Sequence, residues 1–286
     1  MGRSLQLIVT GATGFIGGHV VAAALARGHG VTVVGRDEAK VRAAEWGRQV
    51  RFVAADIHAT SFDPAVLGEA DAMLHLAWPG LPDFWDPAHL EVYFPADARF
   101  LEAMQSTGLP RLLVTGTCLE YGIRNGPLAE TMPAAPTLPY ARAKDALRRH
   151  LEAHPPGGAM LVWARLFYMH GPGQHSKSVL AQLDAAIDRG DPVFPMSGGE
   201  QLRDYLPVGE VARRLVRLAE APSASGIFNI CSGRPISIRR LVEERIAERG
   251  AAIALGLGHY PYPDYEAMAF WGDGTRYEHE MESADD

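Results

Sequence analysis

The sequence predicts an α/β protein built on a doubly wound parallel sheet, with a small lobe formed by its C-terminal part. Three observations lead to this prediction. Short β-rich apolar runs alternate with helical stretches through the first half, as a parallel sheet requires. A glycine-rich turn, residues 10–17, joins the first strand to the first helix. The 286 residues suffice for one large α/β domain or for a core with a smaller lobe.

The composition narrows the class of protein. Hydrophobic residues make up 47% of the chain and charged residues 21%, which is ordinary for a globular protein. The net charge of -7, with no long basic run, argues against a nucleic-acid partner. No apolar stretch reaches the roughly 18 residues of a membrane span, and no signal-peptide layout precedes the first strand. Cys118 and Cys231 form neither a disulfide framework nor a zinc pattern. A cytoplasmic protein without a metal or a membrane partner is therefore expected.

The first half of the chain reads as a series of βαβ units. Strands are predicted at residues 5–9, 31–34, 51–54, 72–76, 111–115 and 160–164. Helices are predicted at residues 15–27, 38–46, 89–105 and 140–153. The last of these helices is expected to stop at Pro155 and Pro156, because proline cannot continue a helix.

The pattern is looser after residue 166. It predicts helices at 178–189 and 237–249, an irregular stretch at 192–199, a strand at 226–230 and a frayed acidic tail at 278–286. The strand at 226–230 is expected to return to the sheet. We therefore assign residues 1–165 to the core, with a return near 204–232, and residues 166–203 and 233–286 to the lobe.

The turn between the first strand and the first helix carries three glycines. Gly11, Gly14 and Gly17 allow the backbone to turn tightly and to approach a pyrophosphate. The following helix N-terminus offers free N–H groups to phosphate oxygens. The alternative is a tight turn that binds nothing. In this strand-to-helix context the turn predicts a dinucleotide site.

With this turn the chain resembles the extended short-chain dehydrogenase/reductase family, the NAD(P)-dependent sugar-nucleotide epimerases, dehydratases and reductases. Gly11, Gly14 and Gly17 match its Gly-x-x-Gly-x-x-Gly pattern. The similarity continues through Asp56-Ile57, His75-Leu76-Ala77, Thr115-Gly116-Thr117, Tyr121-Gly122, Tyr140-x-x-x-Lys144, Arg203-Asp204-Tyr205 and Phe228-Asn229. The resemblance implies a Rossmann-type core and a homodimer formed through the helices at 89–105 and 140–153.

The end of the second strand indicates which nicotinamide cofactor is bound. An acidic residue here would bind the ribose 2′-hydroxyl of NAD, but Gly35 and Arg36 stand there instead. The Arg36 guanidinium can pair with a 2′-phosphate, which favours NADP(H); its alternative role is a solvated residue at a helix start. Asp37, the next residue, could instead bind the ribose 2′-hydroxyl, so NAD(H) remains an alternative cofactor. The resemblance adds further cofactor-binding residues: Thr13, Phe15, Ile16, Asp56, Ile57, Leu76, Ala77, Thr115 and Lys144.

Tyr140 and Lys144 lie four residues apart in a helix and so share one face. An ammonium one turn away would lower the pKa of the tyrosine, which is ordinarily about 10. Tyr140 could then exchange a proton with an alcohol or ketone oxygen. The alternative is a surface aromatic residue near a cation. The resemblance implies that Thr117 hydrogen-bonds the same oxygen and that Lys144 holds the nicotinamide ribose.

The candidate substrate residues follow the sixth strand and the catalytic threonine. The resemblance makes Arg203 the diphosphate-binding arginine; a salt bridge with Asp204 or Glu200 is the alternative. Lys177 and Ser178 could help to bind phosphate. Met196, with Phe194 and Leu206, could hold the base. We expect Cys118, Glu120 and Tyr168 to face the sugar, Glu120 either accepting a hydrogen bond from it or being solvated, and we expect His75 to be structural.

Two departures from the family pattern stand out. Tyr168 occupies a place where many members have asparagine, and the segment at 91–98 lacks an asparagine that many members carry there. Cys118 and Leu119 follow Thr117 where dehydratases usually have an Asp-Glu pair, which disfavours dehydration. The short chain and Arg36 favour a reductase.

The whole pattern most resembles the reductases that finish 6-deoxy sugars, and this resemblance implies NADPH-dependent reduction of the 4-keto group of a dTDP- or CDP-linked 6-deoxyhexose, with Tyr140 as proton donor. One alternative is an NAD(P)-dependent nucleotide-sugar 4-epimerase. An alternative of another class is a non-catalytic NADP-binding sensor or scaffold.

Overall fold

A computed structural model describes residues 3–154 and 159–285. Its strands are β1 (Gln6–Thr10), β2 (Gly30–Gly35), β3 (Arg51–Ala54), β4 (Ala72–His75), β5 (Arg111–Thr117), β6 (Gly126–Leu128), β7 (Met160–Leu166), β8 (Tyr168–His170), β9 (Val193–Pro195), β10 (Leu202–Pro207), β11 (Gly226–Ile230), β12 (Pro235–Ser237), β13 (Ala254–Gly256) and β14 (Phe270–Gly272).

Its α-helices are α1 (Phe15–Ala26), α2 (Glu38–Ala43), α3 (Phe94–Gln105), α4 (Pro139–Ala153), α5 (Val179–Arg189), α6 (Val208–Glu220), α7 (Ile238–Arg249) and α8 (Thr275–Asp285). A π-helical turn, His89–Tyr93, runs directly into α3, and a 3₁₀ turn, Cys118–Tyr121, follows β5. No helix in the described part of the chain is long and apolar enough to cross a membrane.

Seven parallel strands form the central sheet in the order β11-β7-β5-β4-β1-β2-β3. The strand order reverses at β1, which pairs with β2 on one side and β4 on the other. In such sheets ligands bind at the carboxyl ends of the strands, next to the reversal. The predicted α/β fold with a parallel sheet is confirmed, and the strand at 226–230 joins it as β11.

Alternating side chains along β1 divide the core between the two faces of the sheet. Leu7 and Val9 contribute to the cluster under α1 and α6, while Ile8 points to the other face, under α3 and α4. Helices α3 and α4, the expected dimer helices, lie side by side on that second face. The homodimer itself stays a prediction.

Helix α6 is an element that the sequence prediction missed. Val208, Val211, Ala212, Leu215 and Val216 are all buried, and they recur at helical spacing on the face that packs against α1. This apolar periodicity can be read from the sequence. Pro207, directly before it, is a second signal, because proline is well placed just before a helix starts.

Smaller β-ladders and one apolar cluster build the region beyond the sheet. The stretch at 192–199, expected to be irregular, contains β9, which pairs with β13. The cluster here contains Leu180, Leu183, Phe194, Met196, Leu241 and Val242.

The acidic tail differs from its prediction. Residues 278–286 were expected to fray, but α8 covers most of them, and its Tyr277 and Met281 are buried in the main core cluster. The apolar spacing of these two residues outweighs the acidic composition. Pro155 and Pro156 lie outside the described residues. The division of the chain into a core and a lobe stays a prediction.

Candidate active site

The glycine turn after β1 is too tightly packed for side chains. Gly11 has a φ of +68°, in the left-handed region, and a Cβ there would lie 2.7 Å from the backbone nitrogen of Ala77. A Cβ on Gly17 would lie 2.1 Å from the carbonyl oxygen of Gly11. Gly14, the residue before α1, donates its N–H to that same carbonyl at 2.9 Å. Close packing therefore requires glycine at these positions, and the turn leads directly into the N-terminus of α1, which fits a pyrophosphate.

A cleft runs from this turn across the ends of β2, β3 and β4. The predicted cofactor residues that line it are Gly11, Thr13, Arg36, Asp56, Ile57 and Ala77. Arg36 is exposed at the end of β2. Asp37 caps α2 by accepting the N–H of Lys40 at 3.1 Å, so its carboxylate already has a partner. Asp56 lines the cleft and also accepts the N–H of His58 at 3.0 Å.

The other predicted cofactor residues lie around this cleft rather than in its wall. Leu76 donates its N–H to Thr10 Oγ1 at 3.2 Å, and the buried Thr115 hydroxyl donates to the carbonyl of His75 at 3.2 Å. Phe15 begins α1, and Ile16 faces a second cleft.

This second cleft lies at the carboxyl ends of β5 and β7. Its wall combines the predicted residues Ile16, Thr117, Cys118, Tyr140 and Tyr168. Because Ile16 belongs to the first turn of α1, the cleft adjoins the phosphate turn. The structure thus brings together Thr117 and Tyr140, which are 23 positions apart in the sequence.

The expected effect of Lys144 on Tyr140 is wrong. Burial raises the pKa of Tyr140, the nearby Glu120 and Cys118 raise it further, and the hydrogen bond with Thr117 lowers it only in part. Lys144 is not among the groups that shift this pKa, and its ammonium lies over the Trp78 ring, 3.9 Å from the centroid. Tyr140 consequently keeps its proton at neutral pH.

Lys144 is buried without a hydrogen-bond partner for its Nζ among the described residues. Burial lowers its pKa to about 8, although Asp97 and Glu120 act in the opposite direction. An unsatisfied buried donor is costly, so this amine is ready to bind hydroxyl groups. Together with the glycine turn, it fits a nicotinamide dinucleotide.

Glu120 does not face a sugar, and it is not solvated. It is fully buried and accepts hydrogen bonds from the Thr117 N–H at 2.8 Å, Trp163 Nε1 at 3.1 Å and Arg165 Nε at 2.7 Å. Burial raises its pKa against the opposing effect of Arg165. Its observed role is to hold the backbone of Thr117, and no local pattern indicates the distant Trp163 and Arg165 partners.

Arg203 is buried and pairs with Glu266, its Nη2 lying 2.8 Å from Oε2. The Tyr168 hydroxyl donates to the other oxygen of Glu266, which lines the second cleft. The alternative pairing with Asp204 or Glu200 is wrong, since Asp204 accepts the N–H groups of Ser232 and Gly233 and Glu200 binds Tyr262. The sequence analysis did not identify Glu266, because this residue lies in a Pro- and Tyr-rich segment that carries no motif.

The remaining substrate candidates line neither of the two clefts. Met196 and Phe194 are buried in the cluster between α5 and α7, and Leu206 is buried in the main core. The idea that they hold a base is therefore wrong for this structure. Lys177 is exposed, and Ser178 precedes α5. His75 is structural as expected, being buried against Thr10.

A glycine turn at the strand reversal, beside a buried tyrosine and an unpaired lysine, defines an NAD(P)-dependent oxidoreductase. The comparisons with known proteins agree. Residues 7–231 match the model of the NAD dependent epimerase/dehydratase family, and the chain belongs to this family.

Among its relatives, a dTDP-6-deoxy-L-talose 4-dehydrogenase (NAD(+)) from Aggregatibacter actinomycetemcomitans is 32% identical over 272 residues, 94% of this chain and 99% of the relative. A dTDP-6-deoxy-L-talose 4-dehydrogenase (NAD(P)(+)) from Kitasatospora kifunensis is 30% identical, over 91% of this chain and 83% of the relative. The solved structure of an NAD dependent NDP-hexosamine 5,6-dehydratase involved in tunicamycin biosynthesis is similar with a TM-score of 0.80, at 26% identity, over 97% of this chain and 91% of that one.

Proposed function

We propose that this protein acts on a nucleotide sugar and reduces the 4-keto group of a nucleotide-linked 6-deoxyhexose, with NADPH as hydride donor. The observation that carries the proposal is the neutral Tyr140 phenol beside Thr117, in a cleft that adjoins the phosphate turn. The two relatives named as 4-dehydrogenases of dTDP-6-deoxy-L-talose support position 4 of a dTDP-linked sugar. Dehydrogenation and ketone reduction are the same reaction in opposite directions.

The proposed cofactor is NADP(H), with NAD(H) as the alternative. Arg36 is exposed in the cleft and Asp37 is engaged as a helix cap, which together favour a 2′-phosphate over a free 2′-hydroxyl. One of the two relatives uses NAD(+) and the other NAD(P)(+), so the family allows both. When bound, the nicotinamide supplies the hydride.

In the proposed reaction Tyr140 would donate its phenolic proton to the C4 oxygen of the substrate. The Thr117 hydroxyl hydrogen-bonds the same oxygen and fixes its position. Lys144, whose Nζ has no hydrogen-bond partner among the described residues, would hold the ribose hydroxyls. Glu120 keeps Thr117 in place through its backbone N–H.

Arg203 remains the proposed diphosphate-binding residue, which requires Glu266 to give up its ion pair. Lys177 and Ser178, at the start of α5, remain weaker phosphate candidates. Cys118 and Tyr168 line the cleft and are proposed to contact the sugar.

The test is to incubate the purified protein with NADPH and a dTDP-4-keto-6-deoxyhexose and to follow NADPH absorbance. We expect NADPH to be consumed in proportion to the 6-deoxyhexose formed, and faster than NADH. The second candidate is a 4-epimerase, because the family includes epimerases. If no nucleotide ketosugar oxidises NADPH while a nucleotide hexose is epimerised without net cofactor turnover, the epimerase is the correct function.

A further inference from the structure

Glu266 is the only Asp, Glu, Lys or Arg among the described residues that line the second cleft. The rest of that wall is apolar or carries hydroxyl and thiol groups, as at Thr117, Cys118, Tyr140 and Tyr168. The proposed reaction does not use Glu266. A carboxylate in such a wall is stable only where its oxygens accept hydrogen bonds, so its partners show what it is there to do.

Two neighbouring side chains hold the Glu266 carboxylate. Arg203 Nη2 donates to its Oε2 at 2.8 Å, and the Tyr168 hydroxyl donates to its Oε1. Strands β10 and β8 pair so that Tyr205 lies opposite Tyr168, and Arg203, two positions before Tyr205, lies on the same face of this small sheet. The strand register therefore presents a guanidinium and a phenol side by side, one for each carboxylate oxygen.

Arg203 is itself fixed in place. Its Nη1 donates to the carbonyl of Leu202 at 2.9 Å and to that of Met268 at 3.3 Å, and its guanidinium lies over the Phe270 ring, 4.4 Å from the centroid. The Leu202 N–H also donates to the Met268 carbonyl, at 2.9 Å, which ties β10 to the segment that carries Glu266. The carboxylate is therefore positioned by contacts outside its own loop.

The ion pair is placed asymmetrically. The Arg203 side chain is 4% exposed, whereas the Glu266 side chain is 15% exposed. Glu266 belongs to the wall of the second cleft, and Arg203 does not. Neutralising Arg203 does not require the carboxylate to line a cleft. The guanidinium is consequently the support, and the carboxylate is the group presented to a ligand.

The carboxylate has capacity for a further hydrogen bond. An ionised carboxylate offers about four lone-pair sites and has no proton to donate. Among the described residues, Arg203 and Tyr168 each occupy one site, on different oxygens. A negative group with free acceptor sites attracts hydroxyl donors and repels phosphate oxygens. The part of a nucleotide sugar that fits beside Glu266 is thus the sugar and not the diphosphate.

The chemistry of the proposed substrate narrows the choice of hydroxyl. In a 4-keto-6-deoxyhexose linked to its nucleotide through C1, C4 carries the ketone, C6 carries no oxygen and the C5 oxygen closes the ring. The hydroxyls that remain are those on C2 and C3. An acceptor in this cleft can therefore recognise the sugar only along the edge that joins these two carbons.

We propose that Glu266, held by Arg203 and Tyr168, is a specificity-determining residue that accepts a hydrogen bond from the C2 or C3 hydroxyl of the sugar. The inference rests on the proposed function for the class of substrate. When Arg203 turns to the diphosphate, as its proposed role requires, Tyr168 still holds the carboxylate at the cleft.

Calorimetric binding tests this role without turnover, using a dTDP-4-keto-6-deoxyhexose with NADP⁺ present. We expect Glu266→Gln to raise the Kd for the ketosugar about tenfold, the loss of one hydrogen bond to a charged group. The Kd for dTDP, which has no sugar, should not rise, and the Kd for NADPH should not change. A purely structural role for Glu266 would instead weaken the binding of dTDP as well.

Glu220→Gln is the matched control. The Glu220 side chain is 21% exposed and pairs with Arg27, as Glu266 pairs with Arg203, but it lines neither cleft. This variant should leave all three Kd values unchanged. If Glu266→Gln does not fold, Glu266→Asp keeps the counter-charge of Arg203 and draws the carboxylate back by one methylene group, with the same expected loss.

Deoxy analogues of the ketosugar identify the hydroxyl. The wild type should bind one of the 2-deoxy and 3-deoxy analogues about tenfold more weakly than the parent ligand. Glu266→Gln should bind that analogue and the parent equally, because the hydrogen bond is already lost. If the variant discriminates between them as the wild type does, Glu266 does not contact that hydroxyl and the inference is overturned.

The remaining outcomes separate this inference from the proposed function. An unchanged Kd for the ketosugar in a folded Glu266 variant, or an equal rise in the Kd for dTDP, would overturn the role of Glu266. A rise in the Kd for NADPH alone would assign Glu266 to the cofactor instead. If ketosugar binding depends on Glu266 but no ketosugar is reduced, the proposed reductase fails and the role of Glu266 stands. If the wild type binds no nucleotide sugar, both fail.

Discussion

At the scale of single residues, the environment of Tyr140 keeps its phenol protonated. The buried phenol keeps its proton, because burial and the neighbouring Glu120 both disfavour the phenolate. A proton donor is what ketone reduction requires, whereas alcohol oxidation must first remove that proton. We therefore expect oxidation of the alcohol to accelerate with increasing pH more steeply than reduction of the ketone.

Tyr140→Phe removes the proton donor and little else. The ring contacts with Phe84 and His89 remain available to phenylalanine. We expect kcat for reduction to fall by about 10²–10⁴-fold while NADPH binding, measured by fluorescence titration, is unchanged. Tyr121→Phe is the control, since Tyr121 is buried and bonded to Asn229, outside both clefts. Equal rates for Tyr140→Phe and the wild type would exclude Tyr140 as the donor.

Substitution of Arg36 tests whether the protein prefers NADPH to NADH. Its guanidinium is exposed in the cleft, where it can pair with a 2′-phosphate. Arg36→Ala should raise KM for NADPH about tenfold, a loss of roughly 1.4 kcal/mol, and leave KM for NADH unchanged. Arg42→Ala is the matched control, because Arg42 lies on α2 and pairs with Glu38 instead. An equal change in KM for both cofactors would contradict the assignment.

At the scale of elements, the turn from β1 into α1 is limited by backbone packing. In Gly17→Ala the new Cβ would meet the Gly11 carbonyl at 2.1 Å, so the turn must shift. We expect the Kd for NADPH to rise at least about tenfold and the free energy of unfolding to fall by roughly 1–3 kcal/mol.

Gly18→Ala separates this effect from a general loss of glycine. A Cβ at Gly18 would meet its nearest atom, the Ala12 carbonyl oxygen, at 3.6 Å, an ordinary contact. This variant should bind NADPH like the wild type. If both alanine variants bind normally, close packing of the turn is not what shapes the site.

Elements with a clear local signal were predicted well. The residues of β1, α1 and α4 are marked by apolar runs, by the glycine turn and by proline, so their positions follow from local rules. Helix α6 also has a strong local signal in its apolar spacing, but the sequence prediction did not recognise it next to the Arg203 motif. Strands β6, β9 and β13 are three residues each and pair with distant partners, so local propensity carries little signal for them.

At the scale of the whole molecule, the C-terminal helix is part of the main core. Met281 is 4% exposed and packs in the cluster that contains α1 and α6. Met281→Ala should lower the free energy of unfolding by about 2–5 kcal/mol, measured by urea denaturation. Met268→Ala is the control, because Met268 is 42% exposed and should change stability by less than about 0.5 kcal/mol. A wild-type midpoint for Met281→Ala would show that α8 does not contribute to the cooperative fold.

The sequence by itself determined the parallel α/β core, the phosphate turn and the shared face of Tyr140 and Lys144, since each depends on residues close together in the chain. Only the tertiary structure decided the partners of the buried charges. Arg203 meets Glu266 from 63 positions away, and His58 meets Asp97 from 39. The reason is physical: a buried charge selects its partner by distance and burial in three dimensions, and neither quantity is encoded in the local spacing of residues.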